Sequence, residues 1–191
     1  ATGRKPNTAN IGLENTDITT NERGAIVVND MCESSVPGVY AVGDVNGGPQ
    51  FTYISLDDFR IVFGALTGNV QYTLKDRKNI PYTTFLTPPL ARVGLTEEDA
   101  INKGYTVKTK EMLVATMPRA HVNDYLKGAF KIVVDAENNL ILGATLYSQG
   151  AEELINLIKM AMDNNIPYTY FKNQIFTHPT MAENLNDLCN F

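Results

Sequence analysis

The sequence predicts an α+β fold: an antiparallel sheet with helices on one face, preceded by a segment of a second, incomplete domain. Three observations lead there. The second half alternates strand-like runs with helical periodicities, one of them strongly amphipathic. The residues between its last two strands have the chemistry of a hairpin turn, which makes those strands antiparallel. The opening stretch, by contrast, is polar and broken by Gly, Pro and Asn, with few large apolar residues.

The elements follow in order. Residues 1–24 read as loop and turn. "AIVV" (Ala25–Val28) and "GVYAVGD" (Gly38–Asp44) are short β-rich runs bounded by turn residues. "VNGGPQ" is a loop. From Thr52 to Leu66 the pattern turns helical, with Ile54, Phe59, Ile61, Val62, Phe63 and Leu66 on one side. A linker follows, and the domain boundary is placed near residue 80, giving segments 1–79 and 80–191. "TTFL" and "ARVGL" are strand-like. Thr96 with Asp99 forms an N-terminal capping box, and the helix it opens should end at Gly104. Strands are expected over Thr106–Met117, Ala129–Asp135 and Leu140–Tyr147, the last two joined by "DAENN". "AEELINLIKMAMDNN" should bury Leu154, Ile155, Leu157, Ile158, Ala161 and Met162. A last helix should follow Thr180, with Met181, Leu185 and Leu188 on its apolar stripe.

Bulk properties exclude some functions. The chain has 191 residues and a net charge of -5. Its one short basic run, "KDRK" at Lys75–Lys78, reads as a solvated patch, so nucleic acid and anionic membrane are not expected partners. No apolar run approaches the roughly 20 residues of a membrane span. Cys32 and Cys189 give no disulfide framework, so a reducing, cytoplasmic location is the default. With His121 and His178 they make no metal-ligand spacing, and no metal site is expected. The chain starts at Ala1 in a polar stretch, and it reads as a piece of something longer.

Two stretches carry candidate chemistry. In "FTHPTMAENL", imidazole titrates near neutral pH and a carboxylate is a common orienting partner, so His178 and Glu183 suit acid–base work. "TMAE" is equally a capping box, with Thr180 as the cap and Glu183 returning the bond. The two readings are compatible, because a carboxylate has two oxygens. In "GVYAVGD", a strand ending in Gly43–Asp44 can set a carboxylate against ligand hydroxyls, with bare glycine backbone beside it. The helix that follows aims its N-terminus at the same place. An ordinary strand–turn–helix explains that pattern as well. Arg119 reads as structural.

Taken together, "ATGRKPN", "GVYAVGDV", "PPLARVGLTEEDA", "PRAHVNDYLKGAFKIVVD", "ILGATL" and "FTHPTMAENL" resemble, in order and over nearly the whole chain, the C-terminal half of the flavoprotein disulfide reductases. The likeness is to the branch of mercuric reductase and dihydrolipoamide dehydrogenase. It implies that residues 1–6 close an NAD(P)H domain, that residues up to 79 complete an FAD domain, and that residues 80–191 form the dimerisation domain of a homodimer. It implies Asp44 on the ribityl chain, with Gly43, Phe51 and Thr52 near the flavin. His178 would reach the partner's flavin and disulfide as acid–base, with Glu183 orienting it and a cis His178–Pro179 bond setting the geometry. FAD and NAD(P)H would serve the whole enzyme, none held stably by these residues alone. A disulfide or small molecule would accept the electrons.

The departures are informative. The family's Gly-x-Gly-x-x-Gly fingerprints and its Cys-x4-Cys pair are absent from this sequence. "DLCNF" has one cysteine where mercuric reductases carry two, so mercury is not the expected substrate. "FTYISLDDFRIV" replaces the commoner small residues of the helix after the Gly–Asp turn. Two other functions stay open: a dimerisation module without chemistry, and a flavin oxidase or peroxidase on the same scaffold.

Overall fold

The computed structural model describes residues 2–191. The chain divides into two compact units, one up to Arg77 and one from Lys78 onward.

The first unit is mostly loop around one helix, α1 (Thr52–Thr67). The expected β runs at Ala25–Val28 and Gly38–Asp44 form no strands. They make only isolated bridges, Thr20 with Ile26 and Glu33 with Tyr40. Asn21 takes the N–H groups of Arg23 and Ala25 on its side-chain oxygen, at 2.9 and 3.0 Å, and so closes the turn between the bridged residues Thr20 and Ile26. Gly43–Asn46 winds into a single 3-10 turn.

Helix α1 forms where the periodicity places it, but with a different buried face. Ile54, Asp58 and Ile61 are buried, while Phe59, Phe63 and Leu66 are more than half exposed. The helix carries two apolar stripes, and the narrower one, which packs on the loops of this unit, contains a carboxylate.

The second unit is a five-stranded antiparallel sheet in the order β1-β2-β5-β4-β3. The strands are β1 (Tyr82–Thr84), β2 (Leu90–Gly94), β3 (Val107–Leu113), β4 (Ala129–Asp135) and β5 (Ile141–Tyr147). Pairing β2 on β5 sets Ala91 opposite Leu146 and Val93 opposite Ala144. Pairing β4 on β5 sets Phe130 and Ile132 on the same side. Strand alternation therefore gathers Ala91, Val93, Phe130, Ile132, Ala144 and Leu146 on one buried face.

Two helices, α4 (Ala151–Asp163) and α6 (Asn184–Leu188), cover that face. Leu154, Ile155, Ile158 and Ala161 of α4 are buried as expected. Met162 is only half-buried and Leu157 is 39% exposed, because the buried arc of α4 is narrower than its apolar arc. Helix α2 (Glu97–Asn102) borders the opposite face, where Glu97 pairs with Lys131 of β4 at 2.7 Å. Its capping box is made: Asp99 N–H donates to Thr96 Oγ1 at 3.0 Å and Thr96 N–H to Asp99 Oδ2 at 3.2 Å. Past its end Gly104 adopts φ +85, the left-handed conformation that stops a helix.

The expected strand over Thr106–Met117 stops at Leu113. Val114–Thr116 form a 3-10 turn and Pro118–Val122 a short helix, α3. Proline supplies no N–H to a ladder but suits the first turn of a helix. Val114, Met117 and Ala120 fold inward from this corner to join the core. A further helix, α5 (Tyr168–Asn173), turns Tyr168 and Phe171 inward. No helix among the described residues is long and apolar enough to cross a membrane.

Candidate functional site

In the first unit the Gly43–Asp44 turn rests on α1. Gly43 has φ +71, and a side chain there would meet Ser55 Oγ at 2.5 Å. Only glycine fits both the conformation and the approach. Asp44 follows with its carboxylate about half exposed; Arg4 lies 3.5 Å from Oδ2. Phe51, the residue before α1, is extended and gives no side-chain cap; Thr52 is the first helical residue. Gly43, Asp44, Phe51 and Thr52 thus all belong to this turn and the helix start that follows it.

Behind the turn lies a group that sequence reasoning missed. Asp58 is fully buried. Its Oδ2 accepts the Gly43 N–H at 2.7 Å and Asn46 Nδ2 at 2.9 Å, while Arg77 Nη2 donates to Oδ1. Arg77 also donates from Nε to Asp57 at 2.7 Å, and the Tyr72 hydroxyl reaches Asp57 at 3.3 Å. Burial opposes the charge on Arg77, yet the two carboxylates outweigh it and hold the guanidinium above its usual range. The signal available in the sequence is an acid inside an apolar set at Ile54, Asp58 and Ile61, the i, i+4, i+7 spacing of one helix face.

In the second unit His178 and Glu183 meet. His178 Nδ1 lies 2.8 Å from Glu183 Oε2. The other carboxylate oxygen, Oε1, accepts the Thr180 N–H at 3.1 Å. Glu183 N–H returns a bond to Thr180 Oγ1 at 3.2 Å, and that hydroxyl donates to the Thr177 carbonyl at 2.8 Å. The capping and orienting roles therefore coexist on one carboxylate. The capped turn leads into α6, whose regular part begins only at Asn184. The His178–Pro179 peptide is cis. A carboxylate can only accept, so the 2.8 Å contact fits an Nδ1–H donor on His178. The imidazole is 68% exposed and Glu183 only 18%, so the pair is anchored from inside and presented outward.

Neither cysteine suits redox chemistry at neutral pH. Burial, followed by the Asp58 carboxylate, pushes the Cys32 thiol up to about 11. Burial pushes Cys189 up to about 12. Thiolate is the reactive form, so both are inert. Among the described residues no cluster of His, Cys, Asp or Glu is arranged to hold a metal ion.

Comparison with known proteins gives these features a context. Residues 80–189 match the family described as pyridine nucleotide-disulphide oxidoreductase, dimerisation domain, and residues 1–58 match the family described as pyridine nucleotide-disulphide oxidoreductase. The chain is 48% identical over 188 residues to a probable pyridine nucleotide-disulfide oxidoreductase, RclA, of Escherichia coli, covering 98% of this chain and 43% of that protein. It is 36% identical over 185 residues to a mercuric reductase of Staphylococcus aureus, covering 97% of this chain and 34% of that protein. The solved structure of the HOCl-induced flavoprotein disulfide reductase RclA from Escherichia coli superposes with a TM-score of 0.96 over 99% of this chain and 43% of that one. The chain spans less than half the length of these relatives.

Proposed function

This chain belongs to the pyridine nucleotide-disulphide oxidoreductase family, and from that premise we propose that it is the C-terminal part of an FAD-dependent NAD(P)H:disulfide-type oxidoreductase. In this reading residues 80–191 make a homodimer, and His178 with Glu183 serves the partner subunit's flavin and disulfide. The observation that carries it is the His178–Glu183 pair, held at 2.8 Å by a carboxylate whose second oxygen is fixed to the Thr180 N–H.

The residues present fit a flavin in part. Gly43 offers backbone with no side chain, and the Asp44 carboxylate is half exposed to solvent. An exposed carboxylate beside bare backbone suits a chain of hydroxyls, which donate to it. Asp44 would hold the ribityl hydroxyls, with Gly43, Phe51 and Thr52 lining the flavin. FAD, when bound, accepts a hydride from NAD(P)H and passes two electrons on to a disulfide.

The work left to this chain is proton handling. A thiol released from a disulfide must gain a proton, and a thiol about to attack must lose one. Nε2 of His178 gives or takes that proton. Glu183 keeps Nδ1 protonated and stabilises the imidazolium that forms after Nε2 accepts. The compartment we assign is the cytoplasm, supported by two thiols that are both free and buried. The acceptor we assign is a disulfide or small molecule; likeness to a solved flavoprotein disulfide reductase supports the first.

The test is His178→Ala in the full-length dimer, with the two half-reactions followed separately. Disulfide reduction should fall by about 100-fold or more, and flavin reduction by NAD(P)H should stay near wild type. Equal losses in both, or none in either, would sink the assignment.

A further inference from the structure

We infer that Asp58 is a positioning residue for the flavin site: its buried carboxylate grips the residues on either side of Asp44 and so fixes where the Asp44 carboxylate points. The inference rests on the reading of Asp44 as a flavin ligand.

The geometry is specific. One oxygen of Asp58 takes the N–H of Gly43, just before Asp44, and the side chain of Asn46, two residues after it. Asn46 also donates to the Ala41 carbonyl at 3.3 Å, tying the turn to the segment that enters it. From the other side, the Ile26 N–H donates to the Val45 carbonyl at 2.9 Å. Gly43, Val45 and Asn46 are thus each bonded to something behind the turn, while the Asp44 carboxylate is left half exposed.

A carboxylate buried for shape alone would be a poor choice, since an uncharged side chain fills that space at lower desolvation cost. A charged acceptor suits the task because three donors converge on it: a backbone N–H, an amide and a guanidinium. Arg77 supplies the counter-charge for the buried Asp58 carboxylate. Arg77 is in turn held by Asp57, which Tyr72 also contacts. The chain thereby connects the Gly43–Asp44 turn to the last residue of its unit through a single ion-pair network.

The test is a double-mutant cycle in the full-length protein, with the FAD dissociation constant read by flavin fluorescence on reconstitution of the apoprotein. Asp58→Asn keeps the shape but has one acceptor oxygen for three donors. We expect Asp58→Asn and Asp44→Asn each to weaken FAD binding about tenfold, and the combined variant to be no weaker than Asp44→Asn alone. Losses that multiply, or Asp58→Asn binding FAD like wild type while Asp44→Asn does not, overturn the positioning role and leave the Asp44 assignment standing. Asp44→Asn binding like wild type overturns the Asp44 assignment itself, and this inference with it. Should Asp58→Asn fail to fold, Asp58→Leu with Arg77→Met removes both charges together. FAD binding by that pair at wild-type strength also overturns the role.

Discussion

The two candidate sites are built by opposite means. His178 and Glu183 are five residues apart, and the hydrogen bonds that hold their turn run within residues 177–184, the last two given by Asn184 to the carbonyls of Thr180 and Met181. The Gly43–Asp44 turn is fixed by Asp58, 15 residues on from Gly43, and through it by Arg77, 19 residues further. One site carries its scaffold in its own loop. The other borrows it from a helix and from the end of its unit. A self-scaffolded site tolerates change elsewhere in the fold; a borrowed one transmits distant changes to its turn.

The largest effect that would sharpen this contrast comes from Arg77→Met. It leaves Asp58 buried without its cation, and such losses cost about 3–5 kcal/mol. Denaturant unfolding of the protein should show it, and Asp58→Leu with Arg77→Met should recover only part of the stability, because the Gly43 N–H and the Asn46 amide lose their acceptor. If the single substitution costs less than about 1 kcal/mol, the ion pair is not what holds the first site. Next in size is Glu183→Ala. With its tautomer and orientation no longer set, His178 should lose on the order of 100-fold in disulfide reduction, and stopped-flow flavin reduction should not change. Parallel losses in both steps would erase the distinction between the sites.

A pH experiment bears on the thiols that each unit buries. Both have folded-state values above their unfolded ones, so the folded protein holds protons that the unfolded chain gives up. Stability should therefore be unaffected by them below about pH 9 and should decline from there toward pH 11–12. Each thiol contributes a slope of at most about 1.4 kcal/mol per pH unit. Cys189→Ala should remove its share of that slope, measured by urea unfolding at stepped pH. An unchanged slope would mean that the Cys189 thiol ionises in the fold at the same pH as in the unfolded chain. The smallest effect is Thr180→Ala, about 1 kcal/mol for the lost hydroxyl bonds to the Thr177 carbonyl and the Glu183 N–H. It should lower stability while leaving the His178–Glu183 contact and the reaction largely intact; a rate loss as deep as that of Glu183→Ala would show that cap and orienter are one device.

How far the sequence discloses each region follows the same division. Capping boxes at Thr96–Asp99 and Thr180–Glu183 are short-range chemistry, readable from spacing, and both are made in the structure. The hairpin at Asp135–Leu140 is equally local: Asp135 accepts from the Glu137 N–H at 2.9 Å and the Asn138 amide at 2.7 Å. Helices α3 and α5 span five and six residues, too few for a periodicity to stand out. In α1 the apolar pattern reveals that stripes exist but not which one is covered. Phe59 and Phe63, 5.8 Å apart, pack on each other on the exposed side. The Asp58–Arg77 pair is invisible to any window shorter than the distance between them, and only the charge inside an apolar stripe betrays it.

Residues 187–191 are held with unusual firmness. Lys110 on β3 donates its ammonium to the carbonyls of Asp187, at 2.7 Å, and Asn190, at 2.5 Å. Leu188 and Cys189 are fully buried, and the Phe191 ring stands edge-on to Tyr168 at 5.0 Å. Short segments outside regular structure ordinarily open and exchange their amide hydrogens within the first moments in deuterated water. Here the Cys189 amide, bonded to the Leu185 carbonyl at 3.0 Å beneath that ammonium clasp, should retain its hydrogen about as long as the amides of the sheet.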